Sequence, residues 1–119
     1  LEPARRDALS GIVVGADPFL SLISRDAIIQ LVERLALPVI YESPESVHAG
    51  GLMSYGSRLS EAYRPVGGYV ARILRGARIS DLPVVLSARI ELVLNMKTAK
   101  ALGVTFPLTL LGRADEVVE

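Results

Sequence analysis

Three short apolar runs recur in the first half of the chain, and each ends in a turn that leads into a helical pattern. The runs span residues 11–15, 37–41 and 52–54. Runs of this length that are bounded by glycine or proline are typical of buried strands. Between the first two runs, apolar residues from Leu22 to Leu35 recur at spacings of three and four, which predicts a helix lying on a sheet. The alternation predicts an α/β fold with a parallel sheet and right-handed crossovers.

The third run lies within Gly50-Gly51-Leu52-Met53-Ser54-Tyr55-Gly56 and leads into the longest helical pattern of the chain. This pattern starts at Ser57 and is closed by Gly76, a residue type common just past a helix end. Pro65 and the pair at positions 67–68 interrupt it. Proline removes an intrahelical hydrogen bond and glycine lowers helix propensity, so we expect a kink or local break near Arg64.

The last third of the chain predicts mixed structure. Residues 79–83 read as a connector, and residues 84–86 and 89–95 are rich in the apolar residues of strands. A short helix follows over residues 97–102, and residues 107–118 predict a last helical turn or two. Residues 45–49 form at most a short helix in the first half.

Composition restricts the class of protein. The 119 residues suffice for one domain or a piece of a larger one, and half of them are apolar while 22% are charged. Such a composition fits strands covered on both faces by helices, and it also fits a fragment. No apolar run approaches the ~18 residues that a membrane-spanning helix needs.

Charge and residue inventory exclude several functions. Thirteen basic and thirteen acidic residues cancel, which argues against nucleic acid as the main partner. The absence of cysteine excludes disulfides, thiolate zinc sites and cysteine nucleophiles. His48 is the single histidine, so a histidine metal site would need carboxylates as its other ligands, and a helix-end or surface histidine is the favoured interpretation. We predict no metal and no cofactor.

Catalytic motifs are also missing from the sequence. Ser54 does not lie in a nucleophile elbow, because position 52 is leucine where that motif needs glycine. The spacing of Ser54 and Ser57 relative to His48 does not support a catalytic pair. The glycines at positions 50, 51 and 56 lack the Gly-Lys-Ser/Thr ending of a phosphate loop. We therefore predict that the protein is not an enzyme.

Candidate binding residues follow the predicted strands. Asp17, Glu42 and Tyr55 each lie just past the carboxyl end of a strand, the edge where open α/β sheets bind ligands. A carboxylate there can accept hydrogen bonds from a ligand ammonium, and a tyrosine offers an apolar face with a polar tip. For Asp17 and Glu42, a helix cap or a solvated turn is an equal alternative. Phe19 forms either a pocket wall or the start of the buried face of the first helix.

Several segments follow one another in an order that is typical of a known family. They are Ala16-Asp17-Pro18-Phe19, Leu37-Pro38-Val39-Ile40-Tyr41, Ala49-Gly50-Gly51-Leu52-Met53-Ser54-Tyr55-Gly56, Asp81-Leu82-Pro83-Val84 and Glu91-Leu92-Val93-Leu94-Asn95-Met96-Lys97-Thr98-Ala99-Lys100-Ala101-Leu102-Gly103. Together they resemble the C-terminal part of the tryptophan/tyrosine-type substrate-binding proteins of ABC transporters, which have the type I periplasmic-binding fold. The resemblance covers the chain from about Asp7 to its end.

The resemblance implies an incomplete three-layer lobe with a parallel sheet and a β-containing C-terminal tail. Residues 1–76 would form the second half of a ligand-binding α/β lobe, and residues 77–119 a C-terminal crossover and tail. The chain would be a fragment of a protein more than twice as long. Ligand contacts of the family map onto the loops that contain the following residues: Asp17, Phe19, Glu42, Ser54 and Tyr55.

The function implied by the resemblance is that of the solute-binding component of an ABC importer. It would bind a small molecule, with an amino acid as one candidate, between two lobes and deliver it to a membrane permease. Its location would be periplasmic or lipid-anchored, with any signal sequence upstream of this chain. The alternative is a ligand-sensing regulatory domain of the same fold. Because a fragment exposes strand edges and apolar faces, we expect a homodimer or a domain-swapped assembly.

Overall fold

The computed structural model of the protein describes residues 10–85 and 89–119, and its described strands form one five-stranded sheet. The strands lie in the sheet in the order in which they occur along the chain. They are β1 (Ile12–Val14), β2 (Val39–Tyr41), β3 (Met53–Gly56), β4 (Glu91–Asn95) and β5 (Glu116–Val118).

The first three strands are parallel, as the sequence predicts. Val14 lies opposite Tyr41, which in turn lies opposite Ser54. Between β1 and β2 the chain forms a short π-helical turn (Phe19–Ile23) and helix α1 (Arg25–Arg34), and α2 (Pro44–His48) connects β2 to β3. Because all three strands run in one direction, the loops that follow them meet at one edge of the sheet.

The fourth strand runs antiparallel to β3, unlike the three parallel strands before it. Helix α3 (Leu59–Leu74) and a 3-10 turn (Ile79–Asp81) lead the chain away from the end of β3, and it returns to the same edge. Gly56, the last residue of β3, therefore lies opposite Glu91, the first residue of β4, and the pair is antiparallel. β5 then pairs with β4 in parallel. The predicted α/β fold class, with a mostly parallel sheet, is confirmed.

Two details of the C-terminal third also differ from the sequence prediction. Val84 and Val85 lie outside the strands, and the rest of that run, Leu86, falls outside the described residues. The predicted terminal helix is limited to α5 (Leu108–Leu111), and the chain then becomes β5 instead. An extended segment that follows β4 gains backbone hydrogen bonds by adding to the open edge of that strand, and this pairing outweighs local helix propensity.

Helix α3 continues through Pro65, so the local break that the sequence suggested near Arg64 does not occur, and the alternative, a kink, stays a prediction. Proline at this position removes the hydrogen bond to the carbonyl of Glu61, four residues earlier. Pro65 is exposed, so water can replace the lost donor. The helix ends as predicted, because Gly76 has a positive φ of 96° and the amide of Ala77 donates to the carbonyl of Arg72 at 3.0 Å.

Two apolar clusters hold the sheet to its helices. The first joins β1 and β2 to α1 and contains Val14, Ile29, Val32, Leu37, Val39 and Tyr41. The second joins β4 to helix α4 (Met96–Leu102) and contains Leu52, Leu92, Leu94, Ala99 and Phe106. Asn95 caps α4, since its side-chain oxygen accepts from the amide of Thr98 at 2.9 Å. Segments 1–76 and 77–119 thus contribute strands to one sheet, and their division into units stays a prediction.

The longest helix among residues 10–85 and 89–119 is neither long enough nor apolar enough to cross a membrane.

Candidate functional site

A cleft of about 530 Å³ opens at the carboxyl edge of β1, β2 and β3. Its volume falls within the range of pockets that hold small molecules. The loops after the three parallel strands form most of its wall, and the start of α3 closes one side. Its lining includes the following charged, hydroxyl-bearing and aromatic side chains: Asp17, Arg25, Glu42, Glu45, Tyr55, Ser57 and Tyr63.

Asp17 has a structural role in addition to its place in the cleft wall. Its Oδ1 accepts hydrogen bonds from the amides of Phe19 at 2.8 Å and Leu20 at 3.3 Å. Its carbonyl oxygen accepts from the hydroxyl of Ser21 at 2.7 Å. Asp17 therefore caps the π-helical turn, one of the two roles that the sequence left open, and the cap fixes the carboxylate at the rim of the cleft.

Glu42 and Glu45 are the most unusual groups of the cleft. The Oε2 atom of each is buried and has no hydrogen-bond partner among the described residues. A buried carboxylate oxygen without a donor is unfavourable, and native proteins rarely leave one unsatisfied. Glu42 was predicted from its position after β2. Glu45 was missed, although its place in the first turn of the next helix follows from the same strand end.

Gly56 brings the ends of β2 and β3 together at the cleft. A Cβ atom built on Gly56 would overlap the carbonyl oxygen of Glu42, so a larger residue cannot occupy this position without a shift of the main chain. This close approach holds the main chain of Glu42 against β3. Gly51 has a similar role deeper in the fold, where an added Cβ would lie 2.7 Å from the ring of Tyr41.

Arg25 is the basic residue of the cleft lining, within the part of the chain that the structure describes. Its side chain is 30% exposed, and its Nε donates to Oδ1 of Asp26 at 3.0 Å. A guanidinium has five N–H donors and binds carboxylates well, so groups remain for a ligand. The sequence analysis did not single out Arg25. It reaches the cleft because α1 begins at the carboxyl edge of the sheet.

Aromatic rings form another part of the wall. Tyr55 and Tyr63 are both largely exposed, at 59% and 64%, and both line the cleft. Tyr55 was predicted, whereas Tyr63 belongs to the pattern of α3 and gave no sign of a binding role in the sequence. Exposed tyrosine rings suit recognition, because each offers an apolar face and a hydroxyl.

The other two predicted binding residues lie outside the cleft wall. Phe19 is 60% exposed but does not line the cleft. Ser54 is fully buried because successive side chains of a strand point to opposite faces, so Tyr55 turns toward the cleft and Ser54 turns away. The structure thus brings Asp17, Glu42 and Tyr55 together. Ligand contact by any of the five residues stays a prediction.

A second group of charges lies beside the cleft and is internally paired. Nε of Arg58 donates to Glu91 at 2.7 Å, and a terminal nitrogen of the same guanidinium donates to Glu116 at 2.6 Å. Nε2 of His48 lies 2.7 Å from the other oxygen of Glu116. Hydrogen bonds from His48 and then from Arg58 hold the pKa of Glu116 below its usual value. We call His48, Arg58, Glu91 and Glu116 the charged network.

The charged network gives the single histidine of the chain a structural role. His48 ends α2, as the sequence suggested for a helix-end residue, and its ring binds Glu116 of β5. Within residues 10–85 and 89–119, no three histidine or acidic side chains lie close enough to hold a metal ion.

Comparison with known proteins identifies the family. The family model described as ABC transporter substrate binding protein matches residues 10–118. The fold is an α/β fold with a cleft at the carboxyl edge of its parallel strands, the edge at which open α/β sheets bind ligands. The chain belongs to the ABC transporter substrate binding protein family. A comparison with curated proteins gave no match.

Solved structures share the fold. A conserved domain protein from Vibrio cholerae is 24% identical, with a TM-score of 0.88 over 98% of this chain and 38% of its own. An ABC domain in complex with L-Trp from Streptococcus pneumonia is also 24% identical, with a TM-score of 0.83 over 94% of this chain and 38% of its own. A ligand-free, open substrate binding protein with adhesive properties from Clostridium difficile is 23% identical, with a TM-score of 0.56. The match covers 98% of this chain and 41% of that protein's own. The chain therefore spans about two fifths of the length of the structures that it matches.

Proposed function

We propose that this chain forms one wall of the solute-binding cleft of an ABC importer's binding protein. The observation that carries the proposal is the cleft of about 530 Å³, which gathers charged and aromatic side chains at the edge of the sheet where this fold class binds ligands. Family membership supports the same role. In such a protein, ligand affinity favours the closed arrangement of two lobes over the open one.

The charges of the cleft favour an amino acid as the solute. Arg25 offers guanidinium N–H groups to a carboxylate, while the three carboxylates of the lining, those of Asp17, Glu42 and Glu45, offer acceptors to an ammonium. Tyr55 and Tyr63 supply flat surfaces for a side chain. The pneumococcal relative was solved with L-Trp, an amino acid, which supports this class of ligand.

We further propose that the protein binds and releases its solute without a chemical step, that a membrane permease receives the solute, and that the protein acts outside the cytoplasm. The family supports each point. Of the residues that the sequence analysis weighed for a hydrolytic pair, His48 binds Glu116 and Ser54 is buried, and neither lines the cleft. To test the transport role, uptake of the solute is measured in cells that carry the full-length protein and in cells that lack it. We expect uptake to be lower in the cells that lack it.

The binding proposal predicts stabilisation by amino acids. A thermal-shift screen of the protein against amino acids and small carboxylates should identify a stabilising class, because a ligand at a hundredfold its dissociation constant adds ~2.7 kcal/mol to the stability of the folded state. Asp17→Ala should reduce the shift, since it releases the rim of the cleft. Glu33→Gln, an exposed change on α1, is the control and should leave the shift unaltered. A flat response across the screen would contradict the proposal.

Self-association of the 119-residue chain is a separate proposal. Helix α3 carries apolar residues at spacings of three and four that are all at least 40% exposed: Leu59, Tyr63, Val66, Val70 and Ile73. Val13, on the outermost strand of the described sheet, is 79% exposed. Exposed apolar stripes and strand edges promote association. We expect light scattering to give a mass above 12.8 kDa, and a monomer at every concentration would contradict this expectation.

A further inference from the structure

The acidic side chains that line the cleft outnumber the basic ones. Three carboxylates line it, those of Asp17, Glu42 and Glu45, and they face one guanidinium, that of Arg25. The protein as a whole carries as many basic as acidic residues, so the excess of acid is a local property of the cleft. A cleft lined by one sign of charge concentrates solutes of the opposite sign.

The contacts within the cleft increase this imbalance. Arg25 is already bound to Asp26, a carboxylate outside the cleft lining, which weakens its effect on the acids inside. Asp17 uses Oδ1 for backbone amides at the π-helical turn. The carboxylates of Glu42 and Glu45 receive no such support, since each keeps a buried Oε2 without a donor among the described residues.

A neutral amino acid would not correct this arrangement. Its ammonium adds one positive charge to the cleft, but its own carboxylate adds a negative one. A solute with an additional ammonium or guanidinium group would bring the missing positive charge and the missing N–H donors together. Hydrogen bonds between charged partners are about twice as strong as neutral ones, and they are strongest where water is excluded.

The aromatic part of the wall suits the same solute. Tyr55 and Tyr63 present largely exposed rings in the cleft. The face of a tyrosine ring attracts a cation, and the attraction increases as the cation loses its water. Carboxylates and aromatic rings in one cleft form a combination that recognises organic cations.

We propose that the cleft selects a solute with a net positive charge, a basic amino acid or an aliphatic diamine, and that Glu42 and Glu45 bind its extra cationic group. This inference rests on the proposed function and specifies the substrate class. Arg25 binds the carboxylate of a basic amino acid, and a diamine has no carboxylate. The affinity for a basic amino acid should therefore depend on Arg25, whereas the affinity for a diamine should not.

The test is isothermal titration of the protein with L-lysine and with L-norleucine at one ionic strength. L-norleucine has the same carbon chain and lacks only the ε-ammonium, so the ratio of the two affinities isolates the contribution of the extra charge. We expect L-lysine to bind at least about tenfold more tightly, as one charge-assisted hydrogen bond warrants. L-arginine should resemble L-lysine, and 1,4-diaminobutane measures binding without a carboxylate.

Two variants test whether Glu42 and Glu45 produce the preference for L-lysine over L-norleucine. Glu42→Gln and Glu45→Gln keep the size of the side chain and remove its charge, so each should lower the affinity for L-lysine about tenfold and change that for L-norleucine about twofold or less. Glu33→Gln, exposed on α1, should alter neither affinity. The comparison of the two ligands on the unmodified protein requires no variant, so the test remains valid if a variant fails to fold.

The outcomes separate this inference from the proposed function. L-norleucine binding as tightly as L-lysine, or equal losses for both ligands in the two variants, would overturn the cation selectivity and leave solute binding intact. Binding of 1,4-diaminobutane that survives Arg25→Gln, together with L-lysine binding that does not, would support the roles assigned here. The absence of binding by every amino acid and diamine would overturn the proposed function and this inference together.

Discussion

The cleft and the neighbouring charged network differ in whether their carboxylates have hydrogen-bond partners. In the network, Glu91 and Glu116 bind Arg58 and His48 at 2.6 to 2.7 Å. In the cleft, Glu42 and Glu45 keep buried oxygens without a partner in the described chain. The paired carboxylates join secondary-structure elements through ion pairs, whereas the unpaired ones can still accept hydrogen bonds from a donor outside the described chain. We expect this contrast to separate carboxylates that stabilise the fold from the carboxylates that we propose bind a solute.

The boundary between the two regions is Gly56, and its substitution should have the largest effect on stability. Gly56→Ala would place a Cβ against the carbonyl of Glu42 and would force apart β2 and β3. We expect a loss of about 3 kcal/mol in the free energy of unfolding, the upper range for overpacking, or no folded protein. Urea denaturation measures the change.

A second glycine provides the control for that experiment. Gly67 lies inside α3, and a Cβ built there meets no atom within 4 Å among the described residues beyond the adjacent backbone of its own helix. Gly67→Ala should therefore raise the stability by up to about 1 kcal/mol, because alanine favours a helix. Equal effects of the two substitutions would show that the contact between Gly56 and Glu42 does not constrain the fold.

The next test compares the two kinds of carboxylate directly. Arg58→Gln removes the closest cation of the buried Glu91 and leaves it paired with Arg89, whose Nε lies 3.1 Å from its other oxygen. We expect a loss of up to about 2 kcal/mol, below the value for a fully buried pair, because Arg58 is one-third exposed and Arg89 remains. Glu42→Gln, by contrast, replaces an unpaired charge by a neutral amide and should leave stability within about 1 kcal/mol or raise it. Denaturation in the absence of solutes measures both. A larger loss for Glu42→Gln would reverse the roles assigned to the two regions.

The smallest expected effect concerns pH. Hydrogen bonds from His48 and Arg58 lower the pKa of Glu116 in the folded state, so the group binds protons more readily in the unfolded chain. Its contribution is therefore present above the unfolded pKa, near 4.5, and is lost as the pH falls through the lower folded pKa. Glu116→Gln should reduce the loss of stability between about pH 5 and about pH 3.

The matched control for the pH experiment is Glu119→Gln, an exposed change on the same C-terminal segment. It should leave the acid dependence of stability unaltered. An acid profile of Glu116→Gln that matches the unmodified protein would show that the pairing with His48 and Arg58 contributes nothing to stability.

The sequence predicted the part of the site that depends on strand ends. Asp17, Glu42 and Tyr55 were found because parallel strands bring the loops that follow them to one edge, and strand direction is readable from the alternation of strands and helices. Arg25 and Tyr63 were missed. Both belong to helices, and the position of a helix over the sheet edge depends on packing that local periodicity does not encode.

The charged network shows the same limit at longer range. His48 and Glu116 are 68 positions apart, and their contact exists only because β5 adds to β4 and brings Glu116 beside the end of α2. The sequence contained each residue and gave no reason to pair them. Burial of an ionisable group beside a distant partner is a property of the folded chain.

By itself, the sequence determined the fold class, the first three strands and the edge of the sheet at which the cleft opens, because hydrophobic periodicity and glycine or proline boundaries act within a few residues. The tertiary structure decided the antiparallel return of β4, the burial of Ser54 and the division of carboxylates into paired and unpaired ones. Those properties depend on which surfaces meet across the sheet, and the free energies of burial and charge pairing are set only when they meet.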